Sequence, residues 1–356
     1  MGYLSFYLDN QIQETYLQYA RQFDNLYDLA YMFSYKPKVT GLATVDLDFY
    51  QQLPSKTEGS STVPDFDYAL YIGTNTTATS ANGSSFVTSE PVDFTVSNSM
   101  DQTEISIAQI NNDEPEYYLL KKTRKGTSGT IVSETFTMGA YQEFPTLELN
   151  VPNIGGIIDI TDSDGNIWYE VDYLAQDLVY SDLKNTNVND PNNSADSYNA
   201  PYLLKTKSVN RRFITRFLNE NTLQIQFGAG RPLEIDEEVT PNPDNVGLGL
   251  PFGQNKLTTA YSPTNFIFTN TYGISPSDTN LTVRYLTGGG TSSNVNANQI
   301  NILSTTNTTF INSNLNSSLA DFIFNSLAVN NVAAASGGQD GDSIEEIRQN
   351  SLSLSV

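Results

Sequence analysis

The 356-residue chain contains no cysteine and no histidine, and only one tryptophan. Without histidine there is no imidazole general base, no Ser-His-Asp triad and no zinc–imidazole site. Without cysteine there is no thiolate nucleophile, no disulfide scaffold and no Cys-ligated zinc or iron–sulfur centre. Positive charge is also scarce: 18 Lys and Arg stand against 40 Asp and Glu, a net charge of −22. A nucleic-acid backbone demands clustered cations, so the balance argues against such a partner and suits a protein that binds other proteins. No apolar run approaches the roughly 18 residues of a membrane-spanning helix. No basic residue precedes Arg21, so no secretory signal is expected, and Phe6 stands where a myristoylation pattern needs Ser or Thr. The expected compartment is cytoplasmic. The chain is 38% apolar and 11% aromatic, too much for a disordered polyelectrolyte.

The length predicts two or three domains. Residues 7–34 carry the one long helical pattern: Leu8, Ile12, Tyr16, Ala20, Phe23, Tyr27, Ala30 and Phe33 recur at steps of three and four, and Pro37 closes it. Such an aromatic stripe must be covered, by its own domain or by a bundle with a partner chain. A helix of about 28 residues would be roughly 42 Å long, more than one small β-domain covers, so the spacing predicts an interchain bundle through Leu8, Ile12, Tyr16, Phe23, Tyr27 and Phe33.

After Pro37 the period changes from 3.6 to 2. In LATVDLDFY, Val45, Leu47 and Phe49 alternate with Asp46 and Asp48, a strand with one wet face. Short strands with Gly, Asn, Asp and Pro turns follow to about residue 310, predicting β-sandwich-like domains. The expected fold is α+β, mainly antiparallel β. A bundle-forming helix (1–36) precedes two β-rich domains (37–150 and 151–335), and a linker leads into the start of a C-terminal helix (336–356). Residues 183–201 and 240–253 are expected loops. Ser343 three residues before Glu346 has the spacing of a capping box.

Several segments invite a chemical reading. Asp162, Asp164 and Asn166 have the spacing of a calcium loop, but Ile167 and Tyr173 replace its Gly and bidentate Glu, and an Asp-Gly hairpin turn explains the same residues. The acids Glu234, Asp236, Glu237 and Glu238 read as a solvated edge rather than a glycosidase pair. Gly288, Gly289 and Gly290 are not followed by the Lys-Ser/Thr of a phosphate loop. Nine of the 18 basic residues fall in two runs: Lys121, Lys122, Arg124 and Lys125, then Lys205, Lys207, Arg211, Arg212 and Arg216. On an acidic chain these are candidate docking patches, or else solvated hairpin ends that balance local acids. No catalytic set, bound metal or cofactor is expected, and the chain reads as a non-enzyme.

Four segments together resemble the baseplate J-like family, the wedge proteins of contractile phage tails. NLYDLAYMFSYKPKVTGLATVDLDFY is similar to the family's N-terminal helix, "lGYkP" stop and first strand. WYEVDYLAQDLVY and PYLLKTKSVNRRFITRFLNENTLQIQFGAG resemble its middle, with the "iqFGaG" strand. LTVRYLTGGGTSSNVNANQI is similar to "tYrtGGGsaGNVpAgtI", and ASGGQDGDSIEEIRQNS to "asGGtDaEsieEiRenaP". The match departs at Asn296 and Asn298, and no proline follows the last motif. Residues 51–150 have no counterpart.

The resemblance implies structural roles for Gly288, Gly289, Gly290, Gly337, Gly338, Asp340, Glu345, Glu346 and Arg348. It further implies a virion component of the tail baseplate, assembled in the host cytoplasm and truncated before the family's C-terminal half. The implied partners are a second copy and other wedge proteins, including a sheath-initiator-like protein, hexameric around the tail tube. The family role is to organise wedge assembly and transmit baseplate rearrangement to the sheath. The alternative, from Tyr- and Asn-rich β-sequence, is a carbohydrate-binding β-sandwich module of a tail fibre or adhesin.

Overall fold

The computed structural model describes residues 2–230 and 272–354, with side chains for 7–230 and 272–353. The expected acidic edge at 234–238, the loop at 240–253 and the strand at 264–270 lie outside the described residues. Strand makes up 45% of the structure and helix 15%.

Two larger sheets dominate. In the first, Thr44–Glu58 and Glu114–Ser128 form a long antiparallel pair, extended by Ser85–Thr88, Thr76–Ser80 and Ile300–Leu303 on one side and Ala328–Asn330 on the other. The strands Ser61–Pro64 and Glu104–Asn111 add to this pair. Val45, Leu47 and Phe49 point into the core as their alternation requires. The second sheet runs 130–138, 279–287, 154–162, 167–170, 212–219, 222–227 and 146–150, with one parallel contact, between 167–170 and 212–219.

Each sheet has its own core, and the cores do not divide the chain into two consecutive blocks. Val295, Ile300, Ile323 and Val329 pack with residues 43–120, whereas Leu26, Tyr27, Ala30 and Ile347 pack with residues 149–285. The chain changes sheets at Gly129, between strands 114–128 and 130–138, and returns after Thr287 through Gly288, Gly289 and Gly290.

The described helices are short: α1 (Gly2–Gln13), α2 (Phe23–Met32), α3 (Ser317–Asn325) and α4 (Ile344–Leu354). The single helix expected over 7–34 is therefore corrected, and the α+β class built on it gives way to a mainly β fold. The physical cause is a set of local bonds that replace the helical ladder. The Glu14 carboxylate accepts the backbone N–H groups of Arg21 and Gln22 at 3.1 and 3.2 Å and the Asn25 amide at 3.2 Å, so the chain turns back at residues 14–22. The Arg348 guanidinium takes the carbonyls of Leu17 and Ala20. Each exchange supplies a partner that a continuous helix would have supplied.

Candidate functional site

The four segments singled out in the sequence are brought together. Thr40–Gly41 pairs antiparallel with Gln339–Asp340. The Gly290 N–H donates to the Gly41 carbonyl at 3.1 Å, the Thr40 hydroxyl to the Gly288 carbonyl at 3.1 Å, and the Thr291 N–H to the Asp340 carboxylate at 3.3 Å. Asn294 closes the ring: its amide donates to the Gly338 carbonyl and accepts the Gly338 N–H, both at 2.9 Å.

Two of the glycines are obligatory here. Gly289 has φ +99°, and a Cβ on it would lie 2.6 Å from Thr40 Oγ1 and 2.9 Å from the Gly41 carbonyl. A Cβ on Gly338 would lie 2.5 Å from the Gly290 carbonyl. Neither spacing admits a methyl group, so close backbone crossing, rather than phosphate binding, accounts for both positions. Gly337 lies beside this crossing at φ +93°.

The helix after this crossing is anchored at its start. Ser343 and Glu346 form the expected capping box, with the Ser343 N–H and hydroxyl both donating to the Glu346 carboxylate at 2.8 Å. Those bonds hold the Glu346 carboxyl below its ordinary value. Glu345 pairs with Arg348, which in turn holds the turn at residues 17–20. The middle segment joins through α2: Arg216 pairs with Asp28 and lies over the Tyr31 ring, while the Tyr31 hydroxyl oxygen accepts the backbone N–H of Phe217 at 2.7 Å. Lys36 donates to Thr215 at 2.7 Å.

The expected bundle stripe is divided. Tyr27 is 1% exposed and Phe23 and Phe33 pack against the same core, so these three serve the chain's own fold. Leu8, Ile12 and Tyr16 are exposed, with Tyr7 and Tyr19 beside them, and this half remains an uncovered apolar surface.

The basic runs are largely used internally. Lys122 is 1% exposed and donates to the Val96 carbonyl at 2.6 Å and to Asp101 at 2.8 Å. Arg124 makes two bonds of 2.8 Å to the same carboxylate. Burial pushes the Asp101 carboxyl up, but the bonds and charges of Arg124 and Lys122 outweigh it, and the group sits below its ordinary value. Lys121 lies between Asp48 and Glu104, and Lys125 is exposed. In the second run Arg212 is buried, donating to the carbonyls of Leu174 and Val209. Arg211 faces Asp162 at 3.5 Å, Lys207 donates to the Tyr169 hydroxyl and Lys205 to the Asn189 carbonyl. Neither run forms a free cationic face.

The calcium-like segment is a hairpin turn. Asp162 accepts the N–H groups of Asp164 and Asn166 and the Asn166 amide, between strands paired at Thr161 and Ile167. Among the described residues no three Asp or Glu side chains gather closely enough to hold a metal ion. An open cleft lined by Tyr71, Gly73, Asn75, Thr306 and Asn307 includes Arg284, which Asp159 holds, and offers one aromatic ring.

Two exposed features escaped the sequence reading. The expected loop at 183–201 is the end of a two-stranded ribbon, 178–184 with 202–208, whose loop is stapled by Asn185 donating to the Asn193 and Ala200 carbonyls. The strand 104–111 is exposed along its whole length. Both alternate like ordinary strands, and alternation alone does not reveal which faces lack a cover. No family model and no curated protein matches the chain.

Proposed function

We propose that the chain is a structural wedge subunit of a contractile phage-tail baseplate. In this reading it is a virion component that joins a second copy and other wedge proteins, including a sheath-initiator-like protein, around the tail tube. Its role is to organise wedge assembly and to pass baseplate rearrangement to the sheath.

The observation that carries the reading is the contiguity of the four resembling segments. They are separated by long stretches of sequence, yet Thr40–Gly41, Gly288–Gly290, Asn294, Gly338–Asp340 and Arg348 bond to one another or to the turn before α2. Arg216 and Lys36 tie the middle segment to the same unit. Chance matches would scatter over the fold; these occupy the place where the chain passes between its two cores. The exposed apolar side of α1 adds a surface of the kind used in assembly.

Co-expression with the other tail proteins of the same particle, followed by native mass spectrometry, tests the reading. The expected result is a defined complex that contains this chain and at least one wedge protein. Recovery of the chain alone, with the other tail proteins assembled without it, would overturn it.

A further inference from the structure

A short three-stranded sheet runs in the order Thr308–Phe310, Leu70–Ile72 and Val92–Asp93. Leu70, Ile72 and Val92 bury one face of it in the first core, which leaves Tyr71 on the other face. Thr309 lies directly opposite Tyr71 and shares that face. Both residues line a cleft of about 520 Å³, together with the turns at 73–75 and 306–307. Arg284, from the second sheet, completes the lining, so the cleft lies between the two cores, where ligand sites are commonly found. Its rim is pre-formed. The Gly73 N–H donates to the Asn307 carbonyl at 2.9 Å, the Asn75 N–H to the Thr88 carbonyl at 2.8 Å, and the Thr76 hydroxyl to the Gly73 carbonyl at 2.8 Å.

Much of the polar capacity of this lining is unused. Among the described residues, no partner engages the Tyr71 hydroxyl, the Thr74 and Thr309 hydroxyls or the Asn75 side-chain amide. Arg284 directs Nε to Asp159 at 2.8 Å and Nη2 to the same carboxylate, while its Nη1 bonds to no described residue.

The lining also restricts what can bind. A hydrocarbon ligand needs apolar walls, and the cleft has one ring. A metal ion needs carboxylates, and none lines the cleft. A phosphorylated or sulfated ligand needs cations whose charge is not already met. Arg284 is the one charged residue in the lining, and Asp159 neutralises it, in a chain of net charge −22. The remaining class is a neutral ligand dense in hydroxyl groups that also has an apolar face. A pyranose ring has both.

We propose that this cleft binds a neutral mono- or disaccharide. The Tyr71 ring takes the C–H face of one sugar. The Asn75 amide, which both donates and accepts, takes a pair of neighbouring hydroxyls. The Arg284 Nη1 and the Thr74 and Thr309 hydroxyls take others, with Asp159 orienting the guanidinium. Binding is insensitive to salt, because no net charge is neutralised. The wedge role neither requires nor supplies this site.

The test is a glycan array of neutral and sialylated glycans, probed with the purified full chain cross-linked into multivalent complexes. The best neutral sugar is then titrated into the uncomplexed chain by NMR. The expected result is binding of glycans that end in a neutral hexose or N-acetylhexosamine, equal at low and high salt. Tyr71→Ala should weaken it roughly tenfold or more. Asn75→Gly should weaken it at least about fivefold without lowering the melting temperature, because Asn75 sits at φ +59°, which glycine adopts freely, and only the amide is lost. Should Tyr71→Ala fail to fold, Asn75→Gly decides alone. An array with no neutral glycan bound, or a sugar whose affinity is unmoved by Asn75→Gly, would overturn the proposal. So would binding confined to sialylated glycans and abolished by salt, an outcome that assigns the cleft to an anion.

Discussion

Asp342 accepts the phenolic hydroxyl of Tyr35 at 2.5 Å, across 307 residues of chain. The same carboxylate oxygen accepts the Lys38 N–H at 2.8 Å, and Asn350 donates to the Tyr35 oxygen at 3.0 Å. One phenol thus joins the segment after α2, the turn before α4 and α4 itself. Burial pushes the Tyr35 hydroxyl up to about 12, with the bond to Asp342 adding to it.

Tyr35→Phe removes a hydrogen bond to a charged acceptor and should cost about 1.5–3 kcal/mol in denaturant unfolding. The pH dependence has a definite sign. A group whose folded pKa is raised stabilises fully below its unfolded value, near 10 for tyrosine, and loses that contribution as pH rises toward about 12. The wild-type chain should therefore lose stability between pH 10 and 12 more steeply than Tyr35→Phe. Parallel curves would remove the bond from the account of stability.

Some of this was legible in the sequence and some was not. Val45, Leu47 and Phe49 show their inward face because a strand's period is fixed by its backbone, and Ser343 with Glu346 announces α4 because a capping box is local. The break between α1 and α2 was not legible. No Gly or Pro marks residues 14–22, and the groups that replace the helical ladder include Arg348, more than three hundred residues away. The internal partners of the basic runs were not legible for a related reason: charge is visible in sequence, but the Asp101 that holds Lys122 and Arg124 is chosen by the fold. The glycine motifs could be recognised as close-packed backbone, whereas which strands cross there required coordinates.

Asp101→Asn should be severely destabilising, because it leaves Lys122 charged at 1% exposure without a counter-ion. Breaking such a pair costs about 3–5 kcal/mol. Burial already lowers the Lys122 pKa, so the penalty should shrink as pH approaches 10 and the amine sheds its proton. In the wild type, the depressed Asp101 pKa contributes stability above its ordinary value of 3.8 that is lost as pH falls below it. Adding Lys122→Met to Asp101→Asn should recover much of the loss. Melting curves of the three variants at pH 7 and 10 check this; equal destabilisation at both values would refute the buried-charge account.

Gly289→Ala and Gly338→Ala test the crossing between the cores. The first forces a side chain into φ +99° and against Thr40, and the second drives a methyl group to 2.5 Å from a carbonyl oxygen. Each should cost at least about 2 kcal/mol. Because the damage is confined to the crossing, the expected calorimetric result is one transition for the wild type and two separate transitions for each variant. A lower melting temperature with one sharp transition would mean that the cores are coupled by something else.

Ile12 and Tyr27 lie on the same stripe in the sequence, and the divided helix assigns them opposite roles. Tyr27 is 1% exposed among Leu26, Ala30 and Ile347, and Tyr27→Ala should cost about 3–5 kcal/mol as a large-to-small change in a packed core. Ile12 is 54% exposed on α1, and Ile12→Asp should change stability by no more than about 0.5 kcal/mol. A continuous helix packed on its own chain would make both substitutions costly. A continuous helix in a partner bundle would make both cheap in the isolated chain. Only a stripe whose first half is uncovered and whose second half is core makes Tyr27→Ala costly and Ile12→Asp harmless. Denaturant melts of the two purified variants separate the three cases, and the same Ile12→Asp protein can then be offered to its assembly partners. Full stability with lost assembly would place the contact on α1. Full stability with normal assembly would show that α1 is dispensable and move the search to the other exposed faces.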